Sequence, residues 1–525
     1  MAQLLILVGL GTVVVVVSAV AGRLGVLAPI LLVVVGVGLS FVPGIPAIRL
    51  EPQVVLIGIL PPLLYVAAVE TSVPAFRYNL RPILLLAVGL VIFTATCVGL
   101  VVYALLPGVP LAAAFALGAI VAPPDAVAAT AVARRIGLPR RLVTILEGES
   151  LVNDATALVI FRVAVAAATG QALSMLGIAE KAVVASVGGV AIGVAGAVVL
   201  AKIHRRITNP LLDNAVSLLA PFVVYAAAEA IDASGVVAVV VAGLYLGHRY
   251  PTLMSARSRL QMDAFWRMVK FLLEGAVFLL VGLHLRGIVE KLHTPVGLVA
   301  LTTVAVLGTV ILTRFAWMYP ATYLARLVPG VRARDPSPSP RVPTIIAWAG
   351  MRGVVTLAAA LALPQALAGG AEYPRQLFVW LAFAVIVGTL VLQGVTLPAM
   401  ARRLRITPDD PQQDALAEAG VQQAASRAAR ERLEAELAKS DPVPDGVVER
   451  LRILLDDRTN LAWERLGSRR RETPSDAYAR LRRAMLEAER EVFRRARDEG
   501  RIPEEVLRRA QRDLDLEESL LAREE

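Results

Sequence analysis

The sequence predicts an all-α membrane protein of about thirteen transmembrane helices, followed by a charged helical tail. Three observations predict it. The first is composition: 57% of the 525 residues are hydrophobic and only 18% are charged, against about 25% charged in soluble domains. The charge is also segregated, with 26 of the 53 Lys/Arg and 28 of the 43 Asp/Glu falling in residues 401–525. The second is the run of apolar windows. A helix needs about 20 predominantly apolar residues to cross hydrocarbon, and thirteen windows approach or exceed that length before residue 403. The third is the alternation of loop charge between successive windows.

The windows lie near 3–21, 26–43, 53–69, 82–106, 111–133, 142–168, 178–203, 211–231, 233–248, 264–285, 295–325, 342–366 and 376–401. The first could be mistaken for a signal peptide. It lacks a charged leading region and runs straight into further windows, so it counts as a span. Only Ile231 to Ser234 separate the eighth window from the ninth. Loops after odd-numbered windows carry 18 Lys/Arg, whereas the others carry five: Arg49, Lys181, Arg286, Lys291 and Arg375. Basic loops stay in the cytoplasm. An odd span count then places the N-terminus outside and the tail in the cytoplasm, in a multi-pass protein of a bacterial inner membrane. The net charge of +10 belongs to the apolar part. It reflects topology and argues against a nucleic-acid partner. The single cysteine, Cys97, sits in an apolar run with no ligand-like neighbours and reads as packing.

The predicted domains are a transmembrane part, 1–403, and a cytoplasmic tail, 404–525. In the tail, 412–439, 445–470, 474–499 and 503–523 read as amphipathic helices, punctuated by Pro442, Pro444, Pro474 and Pro503. Apolar positions Val506, Leu507, Ala510, Leu514 and Leu516 recur with helical period. A solvated tail, dimer-stabilising packing and regulatory packing all remain open for it.

Charged side chains at mid-span cost at least roughly 2.5–3.5 kcal/mol, so they are kept for pairing or for water-lined paths. In the fifth window Pro123 and Pro124 precede Asp125. Two residues without N–H should break the helix there and bring carbonyls and a carboxylate together at membrane depth. Broken helices of this kind are common cation sites in secondary transporters. The sixth window carries Glu147, Glu149, Ser150, Asn153 and Asp154 within about two turns. So many carboxylates require a cation, an arginine or a proton among them. Glu147 reads as a surface partner of Arg140 and Arg141. In the twelfth window Arg352 lies between Gly350 and Gly353. A guanidinium keeps its charge, so a buried carboxylate is expected beside it: Glu149 first, then Glu274 of the tenth window. The two interrupted windows, five and twelve, are placed as two inverted repeats would place them.

The segments Gly148-Glu-Ser-Leu-Val-Asn-Asp-Ala155, Leu60-Pro-Pro-Leu-Leu64, Ala122-Pro-Pro-Asp-Ala-Val127 and Gly350-Met-Arg-Gly353 resemble the NhaP/NHE-type cation/proton antiporters over residues 1–403. The resemblance implies an NhaA-like antiporter fold with two broken crossing helices, a six-helix core domain and a dimerisation domain, assembled as a homodimer. It implies that Asp154 alternately binds a proton and the transported Na+, assisted by Asp125, with Ser150 and the carbonyls near Pro124 as further ligands. Asn153 would hold the crossing helices together, and Glu149 with Arg352 would form a structural ion pair. An Asn at position 153, rather than an Asp, is similar to the members that exchange one cation for one proton electroneutrally. Two positions depart from the pattern. Tyr65 and Val66 stand where an acidic residue is often found, with Glu70 one turn on, and Pro124 stands where many members carry Thr.

The expected function is therefore antiport of Na+ (or K+ or Li+) against protons, by competition at Asp154, without a cofactor and without enzymatic activity. Burial and a neighbouring like charge favour the neutral form of a carboxylic acid, which lets one site carry either ion. Readings from other classes are a gated cation channel, an intramembrane aspartyl protease and a non-transporting sensor. The protease reading needs Gly-x-Gly-Asp and Tyr-Asp segments, where this chain has Pro124-Asp125 and Asn153-Asp154.

Overall fold

Backbone surrounded by hydrocarbon must satisfy its own N–H and C=O groups, so the apolar windows can only be helices or closed barrels. In the computed structural model of the chain they are helices. The structure describes residues 2–43, 53–170, 175–327, 329–330, 338–367, 373–439, 443–444, 446–464, 466 and 473–521. Arg49, Arg332, Arg334 and Pro442 lie outside the described residues.

The chain divides into two compact units, one up to Pro408 and one from Asp409. In the first unit the helices are α1 (Ala2–Leu24), α2 (Ala28–Ser40), α3 (Leu60–Glu70), α4 (Val73–Tyr78), α5 (Leu80–Leu105), α6 (Leu111–Val121), α7 (Ala126–Arg135), α8 (Arg140–Ala168), α9 (Glu180–Arg206) and α10 (Pro210–Glu229). They continue with α11 (Gly235–Leu253), α12 (Ala256–Leu283), α13 (Val296–Tyr323), α14 (Arg341–Trp348), α15 (Val354–Leu361) and α16 (Arg375–Arg403). Among the described residues, eight helices are long and apolar enough to cross a membrane, and shorter apolar helices accompany them. The chain is thus an all-helical, multi-pass membrane protein.

Three local features follow from sequence. A wide π-helical turn, Val54–Ile59, leads into α3, whose first turn holds Pro61 and Pro62, residues with no N–H to lose there. The eighth and ninth windows are separate helices. Asp232 at φ 55° and the Ser234 cap on Val237 N–H make the turn between α10 and α11. Helices α2 and α12 touch at Gly36 and Gly282, where a Cβ on either would lie 2.4 or 2.3 Å from a carbonyl oxygen of the other helix. Such small-residue contacts let membrane helices approach closely.

Two spans are broken. α6 ends at Val121 and α7 begins at Ala126, so the chain leaves the helix at the Pro123-Pro124 pair. α14 ends at Trp348 and α15 begins at Val354, leaving Ala349–Gly353 outside either helix. These two breaks meet: the Asp125 N–H donates to the Met351 carbonyl at 2.7 Å.

The second unit contains α17 (Pro411–Leu437), α18 (Val447–Glu464), α19 (Pro474–Asp498) and α20 (Glu504–Leu521). α19 and α20 pair over Leu486, Leu514 and Leu521; Leu507 is also buried, while Val506 and Leu516 are exposed.

Candidate functional site

The site is assembled where the two breaks cross beside α8. The last carbonyls of each half-helix need donors, and two buried arginines engage some of them. Arg352 donates through Nε to the Val121 carbonyl (3.1 Å) and through a terminal nitrogen to Ala122 (3.2 Å), closing the end of α6. A further donation goes to the Gly350 carbonyl. Its backbone N–H is held by the Thr389 hydroxyl at 3.0 Å. Arg314, on α13, donates through Nε to the Ile346 carbonyl (3.1 Å) near the end of α14. Each cation therefore sits at the negative end of a half-helix dipole.

This corrects the expected ion pair. Glu149 is paired with Arg314, in a bidentate contact of 2.6 and 2.7 Å, and not with Arg352. Both side chains are 1% exposed. Nor does Arg352 pair with Glu274. Arg352 satisfies its charge on carbonyl oxygens that the proline break released, an acceptor set that sequence reasoning overlooked. Arg314 could have been found: it is an arginine inside a span, as anomalous as Arg352. Gly350 is required where Arg314 passes, because a Cβ there would lie 2.6 Å from Arg314 Cδ.

The N-terminal ends of the second half-helices face Asp125. One Asp125 oxygen accepts from the Val127 N–H at 2.8 Å and caps α7. The other lies against Gly353, the residue before α15, where a Cβ would fall 1.7 Å from it. Asp125 thus sits between two helix N-termini, positions whose partial positive charge favours an anion. Asn153 of α8 donates to the Pro124 carbonyl at 2.6 Å, fastening the straight helix to the break.

One turn beyond Ser150 on α8, Asp154 reaches the same place. Asp125, Asp154, Ser150, Pro124, Glu70 and Glu274 line one cavity of about 280 Å³. Among the described residues the Asp154 carboxylate has no protein donor. Asn153 and Glu149 face away from the cavity into the packing between helices, so the structure separates them from Asp154. Glu70, on α3, is paired with Lys270 of α12 at 2.7 Å. Glu147 pairs with Arg134 at 2.7 Å. It was expected beside Arg140 and Arg141, but the turn at Gly137 (φ 66°) folds α8 back alongside α7 and delivers Arg134 instead. The Arg134–Glu147 pair also lines the cavity.

With this geometry in view, comparison with known proteins is decisive. The family described as "Sodium/hydrogen exchanger, transmembrane" matches residues 10–403. The chain belongs to the sodium/hydrogen exchanger family. An uncharacterised Na+/H+ exchanger of Mycobacterium tuberculosis is 36% identical over 98% of this exchanger and 95% of its own length. A "low-affinity Na+/H+ antiporter" of Synechocystis is 31% identical over 91% of this chain and 89% of its own. A "sodium, potassium, lithium and rubidium/H+ antiporter" of Bacillus subtilis is 33% identical over 73% of this chain and 59% of its own. The fold is that of the sodium proton antiporter MjNhaP1 from Methanocaldococcus jannaschii, with a TM-score of 0.59 at 17% identity, over 77% of this exchanger and 99% of that chain. The exchanger is thus an NhaP-type cation/proton antiporter by family, among transporters and not among the proteases or channels.

Proposed function

We propose that this exchanger moves a monovalent cation, Na+ foremost with K+ and Li+ as alternatives, against protons by competition at the Asp154 carboxylate. The observation that carries the reading is the state of the carboxylates around the cavity. Asp125 is capped by Val127 N–H, Glu149 is held by Arg314 and Glu70 by Lys270. Asp154 faces the cavity with no protein donor among the described residues, so a proton or a cation must supply its counter-charge. Glu274 of α12 also lines the cavity with no hydrogen bond or ion pair among the described residues, and is assigned an accessory role beside Asp154. Ser150, Asp125 and the carbonyl region of Pro124 complete the ligand set for the dehydrated ion. Asp125, capped by the Val127 N–H and set between two helix N-termini, orients the cation, while Asp154 changes partner. One carboxylate trading one cation for one proton is electroneutral, consistent with Asn at 153.

The cavity supports alternating access. On α8 it is lined by Glu147, Ser150, Leu151 and Asp154. On the far side of Asp154, Arg162 pairs with Glu229 of α10 at 3.1 Å. At 1.5 Å rise per residue, Glu147 and Arg162 are roughly 22 Å apart along the helix. On this reading the cavity opens toward the Arg134–Glu147 end, which the basic-loop alternation assigns to the cytoplasm, and the Arg162–Glu229 pair marks the opposite, closed end. We read this as an inward-facing state of a thirteen-span protein with its N-terminus outside, inverted repeats, a homodimeric assembly and a cytoplasmic tail.

The decisive test is Asp154→Asn in everted membrane vesicles carrying a pH-sensitive dye. Cation-induced dequenching is expected to vanish, and dequenching of normal amplitude would refute the assignment.

A further inference from the structure

The side of α16 that meets the second break carries three polar residues. Thr389, Gln393 and Thr396 follow one another at i, i+4 and i+7, which places them on one face of the helix. The Thr389 hydroxyl accepts from the Arg352 N–H at 3.0 Å, and the Thr396 hydroxyl accepts from the Trp348 indole N–H at 2.9 Å. These contacts hold the break at either end, and Gln393 lies between them. The neighbouring Gly394 is close enough that a Cβ there would lie 3.7 Å from Met351 Sδ. Gln393 is 0% exposed. Neither its amide oxygen nor its amide nitrogen has a hydrogen-bond partner among the described residues. Gly350 and Met351 are buried as well. Among the described residues their N–H groups have no acceptor. A buried amide without a partner costs free energy, and orphaned buried N–H groups are rare. An unsatisfied acceptor on α16 therefore faces unsatisfied donors in the break, with no direct bond between them.

We propose that Gln393 is a positioning residue of the ion site, whose amide holds one ordered water against the Gly350–Met351 backbone. A buried water makes about three hydrogen bonds to groups otherwise unsatisfied. This one donates to the Gln393 amide oxygen and accepts from an N–H of the break. The same segment presents the Met351 carbonyl to the Asp125 N–H at 2.7 Å and sets Gly353 against an Asp125 oxygen. Fixing the backbone of the break therefore fixes Asp125, the carboxylate that orients the cation. Gln393 does not line the ion cavity, so it acts on the ion only through the break. The inference rests on the reading that exchange occurs at Asp125 and Asp154.

The test compares Gln393→Met and Gln393→Asn with the native full-length chain. Na+-dependent exchange is read in everted vesicles, the melting temperature on purified protein, and ordered water in a cryo-EM map. Methionine keeps the shape of glutamine and removes its polar atoms. Its melting temperature should be equal or higher, because losing a lone buried amide to an apolar group of like shape is close to neutral. Its half-saturating Na+ concentration should rise about tenfold, as for one lost hydrogen bond, with the maximal rate retained. Asparagine keeps an amide and leaves room for a second water, so its half-saturating concentration should stay within about twofold of native. The map should show water within hydrogen-bond distance of the Gln393 amide. Four results would overturn the proposal. The first is native half-saturation in Gln393→Met, which would leave the amide idle. The second is Gln393→Asn as impaired as Gln393→Met, which would make volume and not polarity the cause. The third is a joint fall of melting temperature and maximal rate in Gln393→Met, the mark of a packing role. The fourth is a map that resolves buried waters elsewhere and none at Gln393. Failure of the exchange reading is seen separately, since that reading expects Asp154→Asn to lose all exchange whereas Gln393→Met keeps its maximal rate.

Discussion

Asp125 and Asp154 have the same side chain and share one cavity, yet their surroundings assign them different work. Asp125 is held by a backbone N–H and by two helix ends, whereas Asp154 faces open space. Asn caps helices about as well as Asp, so Asp125→Asn should leave α7 intact and weaken cation affinity, read as a raised half-saturating cation concentration with residual exchange. Gly353→Ala should be harsher than its size suggests, since its Cβ would fall 1.7 Å from an Asp125 oxygen. Loss of dequenching in a variant that still elutes as a folded protein would verify this. Glu149 and Arg314 predict a stability effect instead. Glu149→Gln strands a buried guanidinium, at a cost of about 3–5 kcal/mol, seen as a lowered melting temperature without a change in cation preference. A change in preference would mean that Glu149 belongs to the ion site.

At the scale of elements, the broken helices are cross-braced by polar atoms and not by packing alone. Arg352 closes α6, Arg314 engages α14, and Asn153 ties α8 to Pro124. Asn153→Ala should loosen the break and leave the helices formed. Hydrogen exchange should accelerate around residues 122–127 while α8 stays protected. In the tail, α19 begins with a capping box in which the Thr473 hydroxyl accepts from the Asp476 N–H and Asp476 accepts from the Thr473 N–H. The hydrogen bond to the Thr473 backbone N–H, with that to its side chain second, holds the Asp476 carboxyl below its ordinary value. A depressed carboxylate contributes stability above its unfolded value of about 3.9 and loses it as pH falls through the lower folded value. The first turn of α19 should therefore fray only in acid below about pH 4, and Asp476→Asn should remove that pH dependence, both read by exchange at residues 474–478.

For the whole molecule, the two ion pairs along α8 frame the proposed orientation of the cavity. Arg134–Glu147 lines the cavity, whereas Arg162–Glu229, further along α8, does not. On a Cys97→Ser background, Thr130→Cys, a lining position, should react with a membrane-impermeant thiol reagent from the cytoplasmic face. Reaction from the outer face alone would reverse the assigned orientation. Glu229→Gln removes one partner of the closing pair and should increase labelling from the outer face.

Much of this exchanger could be read from residue order, because hydrocarbon imposes a one-dimensional rule. Apolar length marks membrane helices, and the Pro123-Pro124 pair marks a break, with Asp125 beside it and Asp154 on the same cavity. Pairing obeys no such rule. Glu149 could meet any buried arginine, and its choice of Arg314 over Arg352 depends on which helix crosses which in space. The same holds for Glu147, which meets Arg134 because α7 folds back along α8. The acceptors of Arg352 were invisible in residue order because they are backbone carbonyls, which every residue carries. Only the crossing of the two broken spans made those carbonyls available, and with Arg352 occupied by them, Asp154 faces the cavity, like Glu274, with no protein donor among the described residues.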